Sequence, residues 1–85
     1  MNPSKAITAN PWWRKFKKKV RARDSNKCRI KGCGEKGDIV AHIMPRRNYP
    51  ELVTDFSNVV LLCAWHDREY GERLEEPSIK KLYDN

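Results

Sequence analysis

Asn58-Val59-Val60-Leu61-Leu62-Cys63-Ala64-Trp65-His66-Asp67 is the stretch on which the fold turns. Four aliphatic residues in a row, two of them β-branched, predict a short buried strand. The strand runs directly into Cys63 and, after two residues, His66, where a helix is expected to start near Cys63 or Ala64; Gly71 either ends that helix or weakens it. A second pair, Cys28 and Cys33 with four residues between them, lies among Gly32, Gly34 and Gly37, which keep the chain irregular. Together Cys28, Cys33, Cys63 and His66 offer four soft or borderline donors suited to tetrahedral zinc. The other reading is three free buried thiols with His66 on the surface.

Size favours the metal. A chain of 85 residues has room for one domain and a modest core, and such domains commonly need a staple. Three cysteines cannot all pair within the chain, and no N-terminal apolar stretch resembles a signal peptide. Metal-bound thiolates in a reducing, cytoplasmic setting are therefore expected. No apolar run has the length of a membrane span.

Upstream, residues 1–9 read as a flexible leader. Asn10-Pro11 reads as an N-cap followed by proline at the first helical position, and Trp13, Phe16 and Val20 recur at helical spacing, so a helix is predicted over 11–23. Its aromatic stripe reads as core rather than as a base-stacking platform. Asp24-Ser25-Asn26 has turn chemistry. Residues 38–43, short, β-branched and bounded by Gly37 and Pro45, predict a strand, and 44–57 predict a loop. The main domain is expected over 10–76, with 77–85 a tail in which Ile79, Leu82 and Tyr83 could make a packing turn.

Charge is segregated along the chain. Residues 1–31 hold eleven Lys/Arg against Asp24 alone, a net of +10, whereas residues 32–85 hold seven basic and ten acidic groups, a net of −3. Such a basic segment suggests a polyanionic partner held through phosphates; a solvated helix face without a ligand is the plainer alternative. His42, ending an apolar strand beside a basic loop, reads on its own either as a satisfied core residue or as a catalyst.

From Trp12 to Arg68 the order of elements resembles the HNH endonucleases, particularly the small phage and prophage type. The matching residues are Trp12-Trp13, Arg23-Asp24, Cys28, Cys33-Gly34, His42-Ile43 with Pro45, Asp55-Phe56-Ser57-Asn58, Leu61-Leu62-Cys63 and His66-Asp67. The resemblance implies an α+β fold: the small ββα-metal domain, here with an N-terminal basic helix and a structural zinc knuckle. It further implies a metal-dependent nuclease that hydrolyses phosphodiesters in DNA, by nicking or by double-strand cutting. In that role His42 is the general base, Asn58 holds the loop and orients the histidine, and His66 is the fourth zinc ligand. Asp67 is then a ligand of a catalytic Mg²⁺ or Mn²⁺ ion. DNA is the implied partner, together with phage packaging or other DNA-processing proteins, and Arg14, Lys15, Lys18, Arg21, Arg46 and Arg47 are the expected backbone contacts.

Two positions depart from the family pattern. Ala41 stands where a metal ligand usually precedes the base, leaving Asp38, His42 itself, Asp55 or water to compensate. The first cysteine pair is two residues wider than the common spacing. A non-catalytic, zinc-stabilised DNA-binding module is accordingly the alternative function, and a protein-interaction zinc knuckle a third.

Overall fold

The computed structural model describes residues 10–84; the leader expected over 1–9 lies outside them. The chain is an α+β domain in which helix α1 (Pro11–Arg23) precedes a two-stranded antiparallel sheet, β1 (Ile39–His42) and β2 (Val59–Leu62). Helices α2 (Ala64–Tyr70) and α3 (Pro77–Tyr83) follow. No helix of the described residues is long and apolar enough to cross a membrane.

Helix α1 starts where the sequence indicates. The Asn10 side chain accepts from the Trp12 amide at 2.9 Å, satisfying one of the orphan donors of the first turn, and Pro11 supplies a preset φ. Beyond the helix Ser25 and Asn26 both adopt left-handed conformations (φ 56° and 58°), turning the chain toward the cysteines.

The strands pair with Ala41 opposite Val60 and His42 opposite Val59. Side chains alternate across a sheet, so β2 feeds two separate cores. Val59 and Leu61 pack with Trp13, Phe16 and Val20 of α1. Val60 and Leu62 face the other way, into a cluster with Cys28, Ile30, Ala41, Leu74, Ile79 and Tyr83. Burial on both faces explains why β2 is an unbroken apolar run rather than an alternating one.

The segment set apart in the sequence as a tail is structural. Residues 77–83 form α3, which buries Ile79 and Tyr83, while the Tyr83 hydroxyl donates to the Leu74 carbonyl at 2.6 Å. The Lys31 amide donates to the Leu82 carbonyl at 2.7 Å, tying the helix to the cysteine-bearing segment. A core boundary at residue 76 would cut through this packing.

Asp24 joins the two halves of the fold. Its buried carboxylate accepts from Arg23 Nε (2.8 Å) and Nη2 (2.9 Å), from Arg29 Nη1 (3.0 Å) and from the Leu61 amide (3.1 Å). A buried charge with this many donors is compensated, and it pins the end of α1 to the centre of β2.

Candidate functional site

The sheet positions two constellations. Cys63 is the N-cap of α2 and follows β2, so a rigid strand-to-helix junction aims both Cys63 and His66 at one point. Cys28 and Cys33 come from a tight knuckle in which the Cys28 amide donates to Glu35 O (2.9 Å) and the Cys33 amide to Ile30 O (3.0 Å). Gly32 and Gly34 (φ 80° and 72°) take the left-handed conformations that let the knuckle close.

The four donor atoms lie within 4.8 Å of one another and form a group that could hold a metal ion. Cys28 Sγ is 3.5 Å and Cys63 Sγ 3.3 Å from His66 Nδ1, and Cys33 Sγ is 4.0 Å from Cys63 Sγ. Metal–sulfur bonds of about 2.3 Å and metal–nitrogen bonds of about 2.0 Å place tetrahedral ligand atoms roughly 3.5–3.8 Å apart. The three shorter separations are near those of a tetrahedral set, and the widest, at up to 4.8 Å, would close by about 1 Å around an ion. Burial pushes the Cys28 thiol up to about 11, so an ion entering here displaces a proton.

The second constellation gathers around His42. Its Nε2 lies 2.9 Å from the carbonyl oxygen of Val53, which can only accept; Nε2 therefore carries the proton and Nδ1 keeps its lone pair. Trp13 stacks on the ring, with centroids 5.6 Å apart and planes within 12°. Burial, with the nearby Arg46 charge adding to it, outweighs the Val53 carbonyl and holds His42 below the ordinary imidazole value.

Asn58 fastens the loop that supplies Val53. Its Oδ1 accepts from the Met44 amide at 2.8 Å, and its Nδ2 donates to Met44 O and Leu52 O, each at 3.2 Å. One buried amide thus closes both ends of the loop between the strands and fixes the residue beside Val53.

His42 lines a cleft with Arg46, Arg47, Gly71, Glu72 and Glu75. Asp67, on α2, is not among the residues that line this cleft, but its carboxylate lies against Gly71, which is: a Cβ built on Gly71 would lie 2.7 Å from Asp67 Oδ1. Its carboxyl is held above the usual range by burial and by the charge of Glu72. The two aspartates weighed as substitutes for a ligand at Ala41 are elsewhere. Asp38 lines the pocket beside Cys33, Cys63 and His66, and Asp55 caps its own turn by accepting from Ser57. Ala41 itself is buried in the core. Among the described residues the Cys3His cluster is the one group of three or more such ligands close enough to share an ion.

The expected DNA contacts fall into two places. Arg14, Lys15 and Lys18 are exposed on α1 with Arg21 half-buried, whereas Arg46 and Arg47 border the His42 cleft. Sequence reasoning did not single out Val53, Glu72 or Glu75, or the role of Trp13 against His42. Glu72 and Glu75 follow the last recognisable ligand with no motif spacing to mark them, and a backbone carbonyl leaves no sequence signal.

The chain matches no family model, no curated protein and no solved structure.

Proposed function

We propose that the protein is a metal-dependent DNA endonuclease of the HNH type, with His42 as general base and a structural zinc ion held by Cys28, Cys33, Cys63 and His66. The observation that carries the reading is the contact between His42 Nε2 and Val53 O, because it leaves Nδ1 unprotonated on a ring that lines a cleft bordered by arginines. From there Nδ1 takes a proton from a water molecule as that water attacks phosphorus, and the bond from phosphorus to the leaving oxygen breaks. Arg46 and Arg47 bind the phosphate backbone at the cleft. Asn58 and Trp13 keep the imidazole in place and oriented.

A divalent ion such as Mg²⁺ or Mn²⁺ would supply stabilisation of the charge developing on the leaving oxygen. Asp67 is the ligand assigned to it, and Glu72, whose charge acts on Asp67, lines the cleft beside His42. So sparse a set of protein ligands suits Mg²⁺, which keeps much of its water. Three thiolates and an imidazole, by contrast, suit zinc and close its coordination sphere.

A second reading, a non-catalytic zinc-stabilised DNA-binding module, draws on buried Ala41, which removes a ligand from the hydrolytic ion. Plasmid relaxation separates the two. Purified protein is expected to nick or linearise supercoiled DNA with Mg²⁺ or Mn²⁺, and His42→Ala to abolish this while DNA affinity persists. Cleavage that survived the substitution would overturn the mechanism. Wild-type binding without cleavage in either metal would establish the binding module instead.

A further inference from the structure

Two aromatic side chains on the α1 side of the molecule are not used by the core. Trp12 is 54 % exposed and Phe56 41 % exposed, although their neighbours Trp13 and Phe16 are buried. Phe56 lies on Phe16 with ring centroids 4.7 Å apart, and its carbonyl accepts from Arg23 at the far end of the helix. Trp12, Lys15 and Lys19 recur at helical spacing and share one exposed stripe of α1, with Phe16 and Arg23 along its edge. The helix contains seven basic residues and no acidic one.

We infer that this stripe binds an unpaired strand of nucleic acid, with Trp12 and Phe56 stacking on bases and Lys15 and Lys19 holding phosphates. The inference rests on the DNA reading above and narrows its substrate class to DNA with a single-stranded, flapped or locally melted segment. Stacking is the deciding chemistry. In a duplex the base faces are covered, so an exposed indole adds little to phosphate contacts; on a single strand each stacked base strengthens binding substantially. From Trp12 to Lys19 the helix rises about 10 Å, close to three nucleotide repeats of a stacked strand.

An anionic membrane is the competing partner for a basic helix with a tryptophan. Interfacial helices bury a broad apolar face in lipid, but Trp13, Phe16 and Val20 of this helix are already buried against β2, leaving little to insert.

Trp13, the residue after Trp12, stacks on His42, so the N-terminal end of α1 abuts the candidate base. Under the proposed function, Trp12 is a positioning residue that holds an unpaired strand at this end of the helix.

The test uses the zinc-loaded full chain and fluorescence anisotropy of a labelled oligothymidylate of about 16 nucleotides, within the site sizes of single-strand binders. A duplex of equal length and anionic phosphatidylserine vesicles serve as the other probes. Trp12→Ala is expected to weaken single-strand binding roughly tenfold while leaving duplex binding unchanged, and Trp12→Phe to restore most of the loss. Equal binding of the single strand by wild type and Trp12→Ala, with duplex still bound, would overturn this inference and leave the DNA reading standing. Binding to neither DNA form would overturn both, and vesicle adsorption in that case would assign the stripe to a membrane surface.

Discussion

The Nε2 of His42 donates to the carbonyl oxygen of Val53 across 2.9 Å, joining the last residue of β1 to the middle of the irregular loop. A carbonyl has no proton to give, so the contact selects the tautomer of the neutral ring that carries its proton on Nε2. The loop in turn is closed by Asn58, which reaches Met44 and Leu52. Strand, loop and asparagine therefore act as one support for a single ring.

The proposed mechanism fixes a pH dependence for cleavage. Burial and the Arg46 charge hold His42 below its ordinary value of 6.5. A general base works when neutral, so the acid limb of the rate profile is expected below pH 6.5. Arg46→Ala removes one of the lowering influences and should move that limb upward, toward neutrality, whatever it does to DNA affinity. The same shift is linked to folding: the unfolded chain binds this proton more readily, so the His42 contribution is complete above 6.5 and declines as pH falls toward the folded value. A rate profile whose acid limb lay above 6.5 would remove His42 from the role.

Asp24 gives a second expectation. Burial alone would raise its pKa, but the hydrogen bonds and charge of Arg23, with further bonds from Arg29 and the Leu61 amide, more than offset this and hold it below 3.8. Its contribution is present above that value and disappears as pH drops through the lower folded one. Replacing Asp24 with Asn leaves two guanidinium groups without their counter-charge and should cost about 3 kcal/mol at neutral pH, read from urea unfolding. The gap between wild type and variant should close in strong acid. A constant gap at all pH values would show that the charge is not what matters.

Metal removal should occur in two stages. Elemental analysis is expected to find about one zinc per chain, because the Cys3His cluster offers one closed set of four ligands. Mild chelation should stop cleavage with the circular dichroism spectrum intact, by withdrawing the weakly held Mg²⁺ or Mn²⁺. Strong chelation should then unfold the domain, since binding free energy at such a site is folding free energy. Loss of activity and of structure at the same chelator concentration would refute separate ions.

How far these features are legible in the sequence depends on how local their causes are. Helix α1 is written in Asn10-Pro11 and in the spacing of Trp13, Phe16 and Val20; β2 is written in its aliphatic run, and the metal group in two short ligand pairs. The surroundings of His42 are not, because Val53 lies eleven residues away through an aperiodic loop and contributes only a backbone oxygen. Asp24 reads as a turn residue, yet one of its partners, the Leu61 amide, is 37 positions distant. Residues 77–83 carry a weak helical pattern whose importance comes from contacts with Leu74 and Lys31, which no local spacing encodes.

Gly71 tests the placement of Asp67 directly. Its backbone is right-handed helical (φ −55°, ψ −32°), a conformation that alanine adopts freely. On propensity alone Gly71→Ala should therefore stabilise the end of α2 by up to about 1 kcal/mol. The space forbids it: an added Cβ would lie 2.7 Å from Asp67 Oδ1 and would also press on the Asp67 carbonyl, to which the Gly71 amide donates at 2.7 Å. The carboxylate has to rotate away and the turn has to open. The expected outcome is a loss of about 1–2 kcal/mol in urea unfolding, within the usual cost of overpacking. Cleavage should also need more Mg²⁺ for half-maximal rate, because the displaced group is the assigned ligand. A more stable variant with an unchanged Mg²⁺ requirement would mean that Asp67 does not lean on Gly71 and takes no part in holding the ion.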